Sequence, residues 1–149
     1  MAAEEKEVLM QADHIKVYFR GKDKKSGTVK AVDNVSFQIF KGETFGVVGE
    51  SGCGKSTLGR TLIRLEKPTE GHIYFHGTDL ASLKGTELKE MRKKAQIIFQ
   101  DPYSSLNPRM TVGDIIGEGI DIHKLYTGKE RQEKIYELLE LVGLNREHA

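Results

Sequence analysis

Little in this sequence points outside the cell or into a membrane. Among 149 residues there is one cysteine, Cys53, so an intrachain disulfide is excluded. No apolar run approaches the roughly 20 residues that a membrane-spanning helix needs. The first residues, Met1 to Glu7, are acidic and lack the basic-then-apolar pattern of a signal peptide. Net charge is also nearly absent: 23 Lys and Arg balance 22 Asp and Glu, for a formal +1. No global field therefore draws the chain to nucleic acid or to an anionic membrane. Internal repeats and low-complexity tracts are missing too. Together these absences point to the cytosol, and the 38% apolar content suits a soluble domain able to bury a core.

What is present is ordered from antiparallel β through α/β to helical. Ile15, Val17 and Phe19 alternate with polar residues, as in a half-buried strand. Gly21 to Thr28, with Lys22, Lys24 and Lys25, reads as a hairpin loop with a solvated tip, followed by a second strand from Val29 to Phe40. After a turn at Lys41-Gly42-Glu43, Thr44 to Val48 is a short apolar run, the mark of a strand buried on both faces. A helix is expected from about Ser56 to Leu65, ending before Pro68. His72 to Phe75 reads as a strand, Thr86 to Lys94 as a helix with Leu88 and Met91 on one face, and Ala95 to Phe99 as another apolar strand. The last helix has capping-box spacing at Thr127 and Glu130, an apolar stripe of Ile135, Leu138, Leu139 and Val142, and Gly143 placed to end it.

The chemistry concentrates in Gly49-Glu50-Ser51-Gly52-Cys53-Gly54-Lys55-Ser56, which fits G-x-x-x-x-G-K-[ST]. Gly52 and Gly54 let the backbone turn tightly and bring N–H groups close to phosphate oxygens. The following helix aims its N-terminus at the same oxygens. Lys55 reaches the β- and γ-phosphates, the Ser56 hydroxyl can ligate Mg²⁺, and Thr57 is placed to touch the α-phosphate. The match lies between an expected buried strand and a helix, the context the motif requires, so nucleotide binding is expected. Cys53 within the loop reads as a small residue at a variable position, although a helix N-terminus lowers a thiol pKa. His72 and His76 share i,i+4 spacing on a strand and turn, with no further ligands at zinc spacing, so no metal site is expected from them.

A family resemblance narrows the class. Ile97-Ile98-Phe99-Gln100-Asp101-Pro102 resembles the Q-loop of ATP-binding-cassette (ABC) ATPases, and Gln100 follows Lys55 by 45 residues. Val29 to Arg60, VKAVDNVSFQIFKGETFGVVGESGCGKSTLGR, and Ile97 to Ile116, IIFQDPYSSLNPRMTVGDII, are similar to the ATP-binding subunits of oligopeptide and dipeptide ABC importers. Within them, the likeness is to the F-type subunit that partners the D-type ATPase. It runs from Ile15 to Leu144, and the run Asp101 to Arg109 is typical of the subfamily.

The resemblance implies an α/β fold: an ABC-type P-loop NTPase fragment with an N-terminal antiparallel β subdomain, part of the RecA-like core and the start of the helical subdomain. It divides the chain near residue 100, with 1–100 and 101–149 on either side. It implies that Phe19 is the A-loop aromatic stacking on adenine; Tyr18 is the alternative, and a plain core role for Phe19 competes with both. It implies that Gln100 contacts Mg²⁺ and helps place the attacking water. Tyr103 to about Asp121 would face the coupling helices of membrane subunits, the plainer reading being a surface loop and a packed helix.

The family pattern continues with the LSGGQ signature, Walker B strand, D-loop and switch histidine, none of which occurs before Ala149. The resemblance therefore implies an N-terminal fragment that binds ATP, from a full-length protein that hydrolyses ATP to drive peptide import through an ABC transporter; the fragment alone is expected to be inactive. The implied partners are a D-type ATPase subunit, integral membrane permease subunits and an extracellular or periplasmic peptide-binding protein, at the cytoplasmic face of the cell membrane. The alternatives are a soluble ABC ATPase of a non-transport assembly, or a nucleotide-binding module without turnover.

Overall fold

The structure, a computed structural model, describes residues 6–21 and 27–149. The expected hairpin tip with Lys22, Lys24 and Lys25, and the first five residues, lie outside the described residues. The chain divides into two compact units, Met1–Gln96 and Ile97–Ala149.

The first unit is built on a four-stranded antiparallel sheet. Its strands are β1 (Val8–Arg20), β2 (Thr28–Phe40), β3 (Glu70–Phe75) and β4 (Thr78–Asp79), in the order β2-β1-β3-β4. One face is apolar. Met10, Ala12, Ile15 and Val17 of β1 join Val32, Ile73, Phe75 and Leu80, and two helices cover them. These are α1 (Lys55–Leu62), through Leu58, and α2 (Gly85–Lys94), through Met91, with Leu88 half-buried beside it. Strict alternation along β1 would send Met10 and Ile15 to opposite faces. An extra residue in β1 between Ala12 and Ile15, where His14 takes φ 48°, restores the phase. Fully burying a side chain such as Ile15 contributes about 1.5–3 kcal/mol, so this irregularity decides which residues make the core. Phe19, expected on the same face as Ile15 and Val17, lies beyond the core and is 42% exposed.

Two expected strands are absent. Residues 44–48 and 95–99 form no ladder with any described residue. Val48 is 94% exposed and Ile98 96% exposed. Their apolar composition suits a buried strand, but a strand exists only where a neighbour supplies N–H and C=O groups. Among the described residues these two segments add nothing to a sheet, and Phe45 stacks on Phe37 of β2 at 4.8 Å. The helix expected to reach Leu65 stops at Leu62, because Arg64 takes a left-handed φ of 56° and sends its guanidinium to the Leu83 carbonyl at 2.7 Å.

The second unit is helical: α3 (Pro102–Ser105), α4 (Val112–His123), α5 (Gly128–Leu141) and a final 3₁₀ turn at Arg146–His148. Asp101 caps α3 by accepting from the Tyr103 and Ser104 N–H groups, and the Thr111 hydroxyl caps α4 by accepting from Asp114 N–H. Ile120 of α4 packs with Ile135 and Leu139 of α5. The capping box expected at Thr127 and Glu130 does not form: Thr127 is the N-cap residue but its side chain makes no cap bond. Gly128 follows it at φ 53°, outside the helical region, so the first turn departs from the regular backbone on which a capping box is built. The apolar stripe is also narrower than expected, since Leu138 is half-buried and Val142 is 71% exposed. Gly143 does end the helix, at φ 77°. Leu144 N–H donates to Leu139 and Gly143 N–H to Glu140, the paired bonds of a Schellman turn.

Candidate functional site

The glycine-rich loop lies between residues 44–48, which form neither helix nor strand, and α1, and β2 sets its seat. Along β1 and β2, Val17 pairs with Val32 but Tyr18 pairs with Lys30, so Ala31 is an extra residue in β2. This bulge turns the Ala31 carbonyl toward Gly54. A Cβ built on Gly54 would collide with that oxygen and lie 3.1 Å from the carbonyl carbon. Gly54 is also the N-cap of α1, at φ 97°. Only glycine meets both demands, the close approach and the left-handed backbone.

From Gly54 the loop opens toward solvent. Gly49, Glu50, Ser51, Gly52, Cys53 and Ser56 are exposed, while Gly54, Lys55 and Thr57 are half-buried. Cys53 N–H closes a turn on the Glu50 carbonyl at 3.3 Å. The first helical bond of α1 runs from Leu58 N–H to Gly54 at 2.9 Å. The N–H groups of Lys55, Ser56 and Thr57 therefore lie in the turn where a helix offers no internal acceptors. No acidic residue stands in that turn, so the positive end of the helix meets no local carboxylate. The Lys55 ammonium folds over the loop and donates to the Gly49 carbonyl at 2.7 Å and the Glu50 carbonyl at 2.6 Å. It also lies 3.7 Å from the Cys53 sulfur. Among the described residues it has no carboxylate partner, so its charge is left unneutralised. Free N–H groups, a helix N-terminus and an uncompensated ammonium converge on one small region. That donor set fits the oxygens of a polyphosphate, and the exposed Ser56 hydroxyl beside it suits a magnesium ion.

Phe19 belongs to the same unit. Its backbone partner is Val29, two residues before the bulge at Ala31, so Phe19 lies a short way along the sheet from Gly54. Its neighbour Tyr18, the alternative aromatic, is engaged. The Tyr18 hydroxyl donates to the Asp33 carboxylate, and the Lys30 ammonium sits 5.1 Å from its ring centroid. The hydrogen bond from Tyr18, followed by contact with Lys30, holds the Asp33 carboxyl below its usual range, and the same bond raises the Tyr18 phenol. Of the two rings, Phe19 is the more exposed, and Tyr18 is half-buried. Neither the bulge nor the Tyr18–Asp33 bond carried a sequence signal, because both depend on register.

The remaining expected residues lie elsewhere. Gln100 is in the second unit, exposed at a bend just before the cap of α3. His72 and His76 do not converge: His72 Nδ1 is 2.9 Å from Asp79, and His76 Nδ1 is 3.7 Å from Glu7. Among the described residues no group of three or more His, Cys, Asp or Glu could hold a metal ion. In the segment from Tyr103 to Asp121, Tyr103 is 88% exposed, whereas α4 buries Gly113, Gly117 and Ile120. No helix of the described residues is long and apolar enough to cross a membrane.

The family model for the ABC transporter matches residues 32–149, from the strand beneath the loop to the last residue. The chain belongs to the ABC transporter family. The oligopeptide transport ATP-binding protein OppF of Bacillus subtilis is 57% identical over 145 residues, which cover 96% of this chain and 47% of that protein. The dipeptide transport ATP-binding protein DppF of Lactococcus lactis is 54% identical over 127 residues, covering 83% of this chain and 41% of that one. The chain spans about half the length of the curated relatives it matches. Among solved structures, the ATP-binding cassette MJ0796 bound to ADP and Pi superimposes with a TM-score of 0.73. Identity there is 26%, over 94% of this chain and 60% of that one. An ABC cassette thus accounts for the antiparallel sheet, the loop before α1 and the helices that follow.

Proposed function

We propose that the intact protein binds Mg-ATP in the Gly49–Ser56 loop and hydrolyses it to drive peptide import. The single observation that carries nucleotide binding is the Lys55 ammonium, held over the loop by the Gly49 and Glu50 carbonyls and paired with no carboxylate among the described residues. A γ-phosphate is a stronger partner than a neutral carbonyl, since it brings full negative charge to the ammonium and adds Coulomb attraction to the hydrogen bond. Lys55 therefore exchanges carbonyls for phosphate oxygens when nucleotide arrives. Backbone N–H groups of residues 52–57 orient the phosphates, and Thr57 reaches the α-phosphate. A bound magnesium ion, held by the Ser56 hydroxyl, would neutralise developing charge on the phosphates. For Gln100, contact with magnesium and with the attacking water is the role that the family likeness supports, and Phe19 stacks on the base.

Peptide import is supported by the relatives, which are named as oligopeptide and dipeptide transport ATP-binding proteins. In this reading the protein sits at the cytoplasmic face of the membrane. It pairs with a second, D-type ATPase subunit, and integral membrane permeases carry peptide delivered by a binding protein. Residues 103–121 then present Tyr103 and its neighbours to the membrane subunits.

Lys55→Ala in the intact protein tests the assignment. Loss of a charged contact of about 1.5–3 kcal/mol weakens Mg-ATP binding roughly 10- to 150-fold and abolishes turnover. ATPase activity at the parent level in that variant would overturn the assignment.

A further inference from the structure

Beyond Val17 the sheet runs past its core. Phe19 and Val29 are 42% and 63% exposed, and neither belongs to the apolar core among the described residues. What holds it is polar and centred on Tyr18. Its N–H donates to the Thr69 hydroxyl at 2.9 Å. Its backbone pairs with Lys30, yet its hydroxyl reaches Asp33, on the far side of the bulge at Ala31. Lys30 closes the group, lying over the Tyr18 ring and 3.3 Å from Asp33. Tyr18 thus grips β2 at residues 30 and 33 and brackets the bulge between them. The same bulge aims the Ala31 carbonyl at Gly54. One short stretch of β2 therefore sets both where the phosphate loop sits and where Phe19 is carried.

We propose that Tyr18, through its hydrogen bond to Asp33, is a positioning residue that fixes Phe19 relative to the phosphate loop, and so sets how much the base adds to nucleotide affinity. This rests on the reading of Phe19 as the stacking ring. Phosphate contacts come from the loop, from α1 and from Lys55, and the bulge that seats them is fixed by the backbone register of β1 on β2, which loss of the Tyr18 hydroxyl leaves unchanged. Base stacking depends on the end of β1, which Tyr18 holds. Loss of the hydroxyl leaves the ring, the ladder and the core in place but lets the strand end move. The cost of ordering it then falls on binding, and only for ligands that carry a base.

The test compares two ligands on the intact protein by calorimetry in the presence of Mg²⁺: ATP, and inorganic tripolyphosphate, which has no base. Tyr18→Phe and Asp33→Ala weaken ATP binding about threefold to tenfold, the size of ordering one side chain on binding. Tripolyphosphate affinity stays within about twofold. Asp33→Asn keeps an acceptor oxygen facing Tyr18 and restores most of the ATP affinity. Parallel loss of both ligands, unchanged ATP binding, or an Asp33→Asn variant as weak as Asp33→Ala would each overturn the proposal. If Tyr18→Phe fails to fold, the two Asp33 variants carry the test alone. Phe19→Ala separates the layers. If it leaves the preference for ATP over tripolyphosphate intact, the stacking assignment fails. If it removes that preference while Tyr18→Phe does not, only the role of Tyr18 fails.

Discussion

The carbonyl oxygen of Ala31, turned out by a bulge in β2, occupies the space that a side chain on Gly54 would need. Gly54→Ala must therefore push the loop off the sheet or flatten the bulge, and it must also hold alanine at φ 97°. Strained backbone of this kind costs about 1–3 kcal/mol. The variant should lower the thermal midpoint of the intact protein and weaken Mg-ATP binding by at least tenfold. Retention of both properties at parental values would show that the loop tolerates displacement from Ala31.

Cys53 is exposed at the mouth of the loop, with its sulfur 3.7 Å from the Lys55 ammonium. A triphosphate drawn to that ammonium covers the thiol. Maleimide labelling of the intact protein should slow markedly when Mg-ATP is added, and Lys55→Ala should lose the protection. Equal labelling rates with and without nucleotide would place Cys53 away from the phosphates.

A stacked ring reads a flat π-face and few hydrogen-bonding edges. With Phe19 as the base contact, ATP and GTP should bind within about tenfold of each other, or roughly 1.4 kcal/mol. Competition of GTP against a fluorescent ATP analogue measures the ratio. A thousandfold preference for ATP would require edge contacts from other residues.

In the helical unit, Arg131 of α5 grips Asp121 of α4 with two bonds, Nε to Oδ1 at 2.7 Å and Nη2 to Oδ2 at 2.8 Å. Gly117 leaves the room: a Cβ there would collide with the guanidinium. The hydrogen bond from Arg131 holds the Asp121 carboxyl below its usual value. A depressed carboxylate stabilises the fold above its unfolded pKa, about 3.9, and that contribution is lost as pH falls through the lower folded value. Arg131→Gln should therefore destabilise the protein at pH 7, and the gap from the parent should close as pH drops from 5 toward 2. Thermal midpoints across that range test the sign; a gap that widens in acid would contradict it.

Much of the local chemistry is legible in the sequence. Gly49 to Ser56 declared itself because the motif is contiguous, and the loop-then-helix context is local. The Gly143 stop and the Leu88 and Met91 face of α2 follow from spacing within one helix. Thr127 misled, because its side-chain bond depends on the backbone of Gly128, one residue on. Residues 44–48 and 95–99 misled for a different reason. Their composition records a need for burial, but a ladder also requires partner strands, and no described residue supplies them.

The order of elements, the phosphate loop with its lysine, and the family likeness were determined by the sequence alone, since each resides in contiguous residues whose types dictate the local chemistry. Tertiary structure alone decided that His14 shifts the phase of β1, that Ala31 bulges beneath Gly54, and that Tyr18 is tied to Asp33 while Phe19 stays free. Each of these depends on strand register. A one-residue slip between β1 and β2 would reverse which side chains face the core, and the pairing energy that selects the register comes from residues far apart along the chain.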